Sequence, residues 1–248
     1  MTGISVTHVA AEAPRVTLGV RSAARSHVGL VRTINEDRIF DCPEARLWAV
    51  ADGMGGHRGG DVAAQMVVDR LRALTAAGQP PGPAALLAAL GAAHTDIRRY
   101  NEASQADAGA TVVAALIVDD VAHIAWAGDS RAYRWRDGAL DRVTRDHSLV
   151  QELVDAGLLT EQAADRHPQA HIVTRALGVH DDPRLETVTT MLAPGDRVLL
   201  CSDGLSHSLE PADMDGGAII PLTDTLLANA LARDGSDNAS VILIELTR

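Results

Sequence analysis

Three apolar stretches of this chain end on the same residue type: "RLWAVAD" on Asp52, "AHIAWAGD" on Asp129 and "RVLLCSD" on Asp203. A fourth, "DNASVILIEL", begins on Asp237. In an antiparallel sheet the end of one strand lies beside the start of its neighbour, so four such carboxylates can converge on one rim. Like charges brought within a few ångströms must take up protons or bind cations. An oxygen-only donor set favours Mg²⁺ or Mn²⁺ over zinc. The glycine-rich run "ADGMGGHRGGDVAA", Ala51 to Ala64, then has a use. Bare backbone lets carbonyls and waters approach an ion closely.

The same run fails the tests for a nucleotide. A phosphate-cradling P-loop ends in Lys followed by Ser or Thr, and this chain has no lysine, all 22 cations being arginine. The dinucleotide fingerprint needs glycine where Arg58 stands after Gly53 and Gly55. A cysteine-phosphatase loop needs Arg six residues after its Cys; those positions after Cys42 and Cys201 hold Trp48 and His207. GxSxG and HExxH are also absent. The net charge of −11 argues against nucleic acid as a partner. Neither a signal peptide nor an apolar run long enough to span a bilayer is visible, so the expectation is a cytoplasmic protein without a membrane partner. The two cysteines make no CxxC and no disulfide framework, and both are expected reduced.

At 248 residues with 46% hydrophobic content the chain can fill a real core, built from aliphatic residues because aromatics are only 2%. The spacing predicts strands at "RVTLGVRSAAR" and "RLWAVAD", an amphipathic helix at "GDVAAQMVVDRLRAL" and a second at "PAALLAALGAAHTDIRRYNEA". Asp119-Asp120 and Asp137-Gly138 each sit between β-rich runs and read as hairpins. Helical segments interrupt the strands between Asp146 and about Pro183, strands return at "RLETVTTML" and "DRVLLCSD", a helix occupies "LTDTLLANALARD", and "ASVILIELTR" is the last strand. Residues 1–13 are read as a tail and 14–248 as one domain. Strand meanders with helices at the beginning and end fit an α+β sandwich of antiparallel sheets.

Eight motifs in order, "GLVRTINED", "ADGMGGH", "AGATVV", "AGDSRAYRWRDG", "TRDHS", "HPQAHIVTRALG", "LLCSDGL" and "SDNASVIL", fall within residues 25 to 247. Together they resemble the metal-dependent protein phosphatases of the type 2C family, in the compact bacterial Ser/Thr form that carries DGMGGH. The resemblance implies a four-layer α-β-β-α sandwich of two antiparallel sheets flanked by helices, with a small helical flap at about 148–183. It implies two core Mg²⁺ or Mn²⁺ ions with a possible third. Asp52 would bridge the core pair, the Gly53 carbonyl would hold the first ion, and Asp203 and Asp237 the second. Asp129 with Asp203 would form the third position, Glu36 and Asp37 would organise metal-bound waters, and Arg32, five residues before Asp37, would grip the substrate phosphate. The activity implied is hydrolysis of phosphoserine and phosphothreonine by direct attack of a metal-bridging water, on phosphorylated proteins that include substrates or autophosphorylated forms of Ser/Thr kinases, by a monomer.

Some residues stand apart from that pattern. Met54 occupies the position where eukaryotic relatives carry a histidine proposed as general acid, which leaves the acid open and His57 as a turn or supporting residue. His171 takes no assigned role. His147 is expected to be a structural histidine braced by Asp146. Glu36 and Asp37, adjacent in an extended segment, should point to opposite faces, with Asp37 favoured as the functional one. Two alternatives remain at this point: a regulatory phosphatase for one partner, such as an anti-sigma-factor antagonist, and a phosphoprotein-binding pseudophosphatase, which would lack the metal-binding Asp positions that are all present here.

Overall fold

The run Leu47–Ala51 shows how one strand serves two cores. Side chains alternate across a strand, and here Leu47, Ala49 and Ala51 turn toward one apolar cluster while Trp48 and Val50 turn toward another. All five are essentially inaccessible, which is why the sequence reads as a continuous apolar run instead of an alternating one. The computed structural model describes residues 18–55, 59–76, 78–164 and 167–248. The tail expected at 1–13 and His57 lie outside the described residues.

Two antiparallel sheets face each other. The first has the order β1 (Gly19–His27), β11 (Ala239–Thr247), β10 (Arg197–Cys201), β7 (Arg131–Arg136) and β8 (Ala139–Arg142). The second has β2 (Asp37–Cys42), β3 (Leu47–Met54), β5 (Val112–Val118), β6 (Val121–Ala127) and β9 (Glu186–Met191), with the short β4 (Gly109–Ala110) paired to the end of β3. Between the sheets, Trp48, Val50, Val113, Ile117 and Ile124 meet Leu200, Ile242 and Ile244. Helices α1 (Gly60–Thr75) and α2 (Pro83–Ser104) cover the outer face of the second sheet through Val67, Leu71, Leu90 and Ile97. Helix α6 (Ile219–Arg233) covers the first through Leu222, Leu226 and Ala230. Three apolar layers thus hold four layers of secondary structure together.

Local chemistry sets the boundaries. Pro83 opens α2 after an extended Gly82, and the helix stops at Gln105, whose left-handed φ of 50° directs its N–H to the Asn101 carbonyl. Asp137 and Gly138, with φ of 50° and 82°, form the tight turn that matches strand twist between β7 and β8. The segment between β8 and β9 carries the short helices α3 (Leu149–Asp155) and α4 (Glu161–Ala164), and α5 (Asp203–Ser206) follows β10. Strand β2 is the element that periodicity alone misses, because "DRIFDC" is short and carries charge at both ends. The acidic stretch after His207 contains a 3₁₀ turn at Pro211–Met214.

Leu200, fully buried between the sheets, tests the weight of the central layer. Leu200→Ala should cost about 2–5 kcal/mol in urea unfolding. Leu158→Ala, at a side chain 73% exposed, should stay within about 0.5 kcal/mol of the parent.

Candidate active site

Register brings the first two carboxylates together. Asp37 opens β2 directly opposite Asp52 on β3. Asp129 follows β6 in the turn to β7, and Asp203 begins α5 just beyond β10, with Ser202 as its N-cap residue. Asp237 lies two residues before β11. The carboxyl of Asp52 feels the charges of Asp37, Asp203, Asp129 and Asp237. Each sheet therefore delivers part of one cluster at a common rim.

Burial and mutual repulsion shape the electrostatics. Loss of solvent, then the negative neighbours, holds Asp52 well above the ordinary carboxylate value. Asp37 is pushed up to about 7 by burial, against a stabilising hydrogen bond from Ser202 Oγ at 2.8 Å. Asp129 rises to about 8 through burial and the nearby Asp203 charge. Asp203 is raised by burial, with His207 opposing, and its carboxyl lies within hydrogen-bonding reach of Asp52. Glu36 is raised by burial and by Asp61. For each of these groups the raising effects outweigh the nearby positive charges of Arg32, Arg131 and His207, a condition that a bound cation relieves.

An open cleft of 620 Å³ lies over this cluster and is walled by Asp52, Gly53, Glu36, Asp129, Asp203 and Asp237, with Arg32 at its edge. Glu36 lines the cleft, whereas the buried Asp37 does not and turns its carboxylate to Ser202. Arg32 is half-exposed and donates from Nη2 to Asp237 Oδ2 at 2.7 Å. Met54 and His171 also line the cleft. Asp146 does not brace His147; it takes the Arg131 guanidinium at 2.7 Å, and His147 finds other partners.

The glycines permit a close backbone crossing. A Cβ on Gly53 would come within 2.0 Å of the Gly60 carbonyl oxygen and 2.9 Å of the Glu36 carbonyl oxygen. No side chain other than hydrogen fits there. The donor set is all oxygen, and Asp37 Oδ1 is buried with no hydrogen-bond partner among the described residues. Among those residues no three His, Cys, Asp or Glu side chains form a closed metal cage. The all-oxygen donor set is what fits a hard cation such as Mg²⁺ or Mn²⁺.

Other residues hold the site in place without a sequence signal of their own. Asn238 accepts from the Glu36 N–H at 2.7 Å through Oδ1 and donates through Nδ2 to the carbonyls of Val28 and Ile34, which fixes the Arg32 loop against the Asp237 turn. Leu30 N–H adds a bond to the Gly235 carbonyl at 2.7 Å. Thr111 Oγ1 accepts from the Asp52 N–H and pairs with Ser130 Oγ at 2.8 Å.

Residues 21–240 match the family model for protein phosphatase 2C. This chain belongs to the protein phosphatase 2C family. It is 40% identical over 247 residues to the serine/threonine protein phosphatase PstP of Mycobacterium tuberculosis, covering 94% of this chain and 46% of that protein. It is 34% identical over 242 residues to the serine/threonine phosphatase stp of Listeria innocua, covering 89% and 94%. The chain thus spans about half the length of the mycobacterial relatives and nearly all of the Listeria one. A solved structure of the PstP catalytic domain in complex with two manganese ions superimposes with a TM-score of 0.84 at 37% identity, covering 94% of this chain and all of that one. The serine/threonine phosphatase of S. agalactiae gives 0.83 at 30% identity, covering 91% and 99%. The α+β sandwich expected from the motifs is the fold of this type 2C chain. Among its described residues no helix is long and apolar enough to cross a membrane.

The cluster has a pH signature in the presence of EDTA. Raised carboxylate values mean that the folded state binds more protons than the unfolded one, so stability conferred by protonation is complete near pH 4 and is lost as pH rises through about 7 at Asp37 and about 8 at Asp129. Asp129→Asn should therefore be more stable than the parent at pH 8.5 and should lose that advantage near pH 4, read by urea unfolding at both pH values.

Proposed function

We propose that this chain is a Mg²⁺- or Mn²⁺-dependent protein phosphatase that hydrolyses phosphoserine and phosphothreonine in proteins. The supporting observation is the convergence of four aspartates from both sheets, Asp52, Asp129, Asp203 and Asp237, on one cleft edged by Arg32, with Asp37 paired to Asp52 beneath it. Asp52 would hold both core ions, the Gly53 carbonyl the first, and Asp203 and Asp237 the second. Asp129 with Asp203 would hold a third, and Glu36 and Asp37 would orient bound waters. Such ions, when present, act as Lewis acids and lower the pKa of water, which removes the need for a covalent phosphoenzyme.

The chain supplies recognition and orientation. A guanidinium is planar and presents paired donors that match two phosphate oxygens, so Arg32 suits phosphate capture better than a point charge would. Its bond to Asp237 aims it along the cleft edge, and the Asn238 bonds keep its loop from drifting. The acidic rim repels a phosphate dianion until cations neutralise it, which couples substrate binding to ion binding. Met54 cannot move a proton, so no side chain at that position protonates the leaving serine oxygen. The open cleft admits a side chain projecting from a protein surface. The substrates proposed are phosphorylated proteins, including autophosphorylated Ser/Thr kinases, met by a monomeric enzyme in the cytoplasm.

Phosphate release from a phosphothreonine peptide, followed with Mn²⁺, with Mg²⁺ and with EDTA, tests this reading. Turnover should require the metal and vanish in Asp52→Asn. Arg32→Ala should lower kcat/KM by about 10²–10³-fold, the usual loss when one donor to the developing charge is removed. Undiminished turnover in EDTA would refute the assignment.

A further inference from the structure

One residue, through its ring and its main chain, holds both backbone polar groups of the residue before Asp129. The Gly128 N–H donates to His147 Nδ1 at 3.1 Å, and the Gly128 carbonyl accepts from the His147 N–H at 2.9 Å. Gly128 has a φ of 114°, and a Cβ there would lie 2.5 Å from the Thr111 side chain. The turn that carries Asp129 is therefore confined between Thr111 on one side and His147 on the other.

The ring is itself fixed. Because Nδ1 accepts, the neutral imidazole carries its proton on Nε2. That nitrogen lies 3.3 Å from Glu186 Oε1, which also receives Arg175 at 2.6 Å. The ring is buried and stacks on Trp126 with centroids 5.9 Å apart and planes 16° from parallel. Through its main chain the same residue accepts from Thr174 N–H at 2.8 Å, and Ser148 forms an isolated bridge with Val173. Val173 itself lines the cleft.

We propose that His147 is a positioning residue that joins the returning arm of segment 148–183, at Val173–Arg175, to the Gly128–Asp129 turn, with Glu186 fixing its tautomer. Movement of that arm is then transmitted to the Asp129 carboxylate through a single residue, by its main chain and its ring. What Asp129 does rests on the function proposed above; how the turn is held does not.

The test compares His147→Leu, which fills similar volume without an acceptor, with His147→Asn, whose Oδ1 stands near the place of Nδ1. Amide exchange at Gly128 and Mn²⁺ calorimetry are measured on both, with Asp129→Ala defining which ion depends on Asp129. In His147→Leu, Gly128 exchange should accelerate by about tenfold or more, and the Asp129-dependent ion should weaken by about tenfold with kcat falling and KM steady. His147→Asn should restore both to within about threefold of the parent. Equal damage from Asn and Leu, or unchanged Gly128 exchange in both, would overturn the proposal. Should His147→Leu fail to fold, Glu186→Ala decides: faster Gly128 exchange and an ion weakened by about threefold support it, and no change in either refutes it. If Asp129→Ala leaves Mn²⁺ binding intact, the role given to Asp129 fails, while Gly128 exchange still judges His147.

Discussion

Concentrating buried negative charge at one rim is the constraint that the rest of the structure serves. Asp52 lies among Asp37, Asp129, Asp203 and Asp237, and four of these five are driven above their ordinary pKa by burial. Such a cluster pushes itself apart. Because Asp37, Asp52 and Asp129 come from one sheet and Asp203 and Asp237 from the other, the push acts between the sheets as well as within them. The layer of Trp48, Val113, Leu200, Ile242 and their neighbours opposes it. A direct tie crosses the same gap, where Ser202 donates to Asp37 and accepts from the Ser240 N–H at 2.9 Å.

The distribution of arginine follows from the same constraint. Buried carboxylates elsewhere receive guanidinium partners: Asp146 from Arg131, Asp196 from Arg136 and Asp213 from Arg233. At the rim, Arg32 on Asp237 is such a pair and it is half-exposed. Among the described residues, further hydrogen bonds at the rim come from neutral groups: Ser202, Thr111, Ser130, Asn238 and His147. A buried arginine placed among the aspartates would satisfy them permanently and remove the driving force for cation binding. Neutral donors fix geometry and leave the negative potential in place.

Sequence alone exposes the parts of this design that local chemistry dictates. Asp52, Asp203 and Asp237 stand out because each interrupts an apolar strand at its end, and the hairpins at Asp119-Asp120 and Asp137-Gly138 are set by residues that accept left-handed backbone. Strand β2 is hidden, because its pairing with β3 and not its composition makes it a strand. Asn238 and Thr111 are hidden for another reason, and so are the partners of His147, itself expected to be structural: their bonds reach residues 19 to 210 positions away. An asparagine after Asp237 could equally have been a turn former. Asp146 misled the sequence view because adjacency to His147 suggested a pair, whereas the loop after β8 turns it toward Arg131 on β7.

The glycine run after Asp52 joins these strands to the first helix. Gly53 and Gly60 cross with a carbonyl oxygen 2.0 Å from where a Cβ would stand, and the Glu36 carboxylate reaches 2.6 Å from a Cβ position on Gly60. The end of β3, the start of α1 and the residue before β2 thus share one point of contact. A methyl group at either glycine would force those backbones apart, and Asp52, one residue from the crossing, would move with them. Phosphate-binding loops use glycine to aim N–H groups at an anion. Here glycine brings strand, helix and carboxylates together beside a buried acidic cluster, so a motif that looks like an anion cradle lies against negative charge.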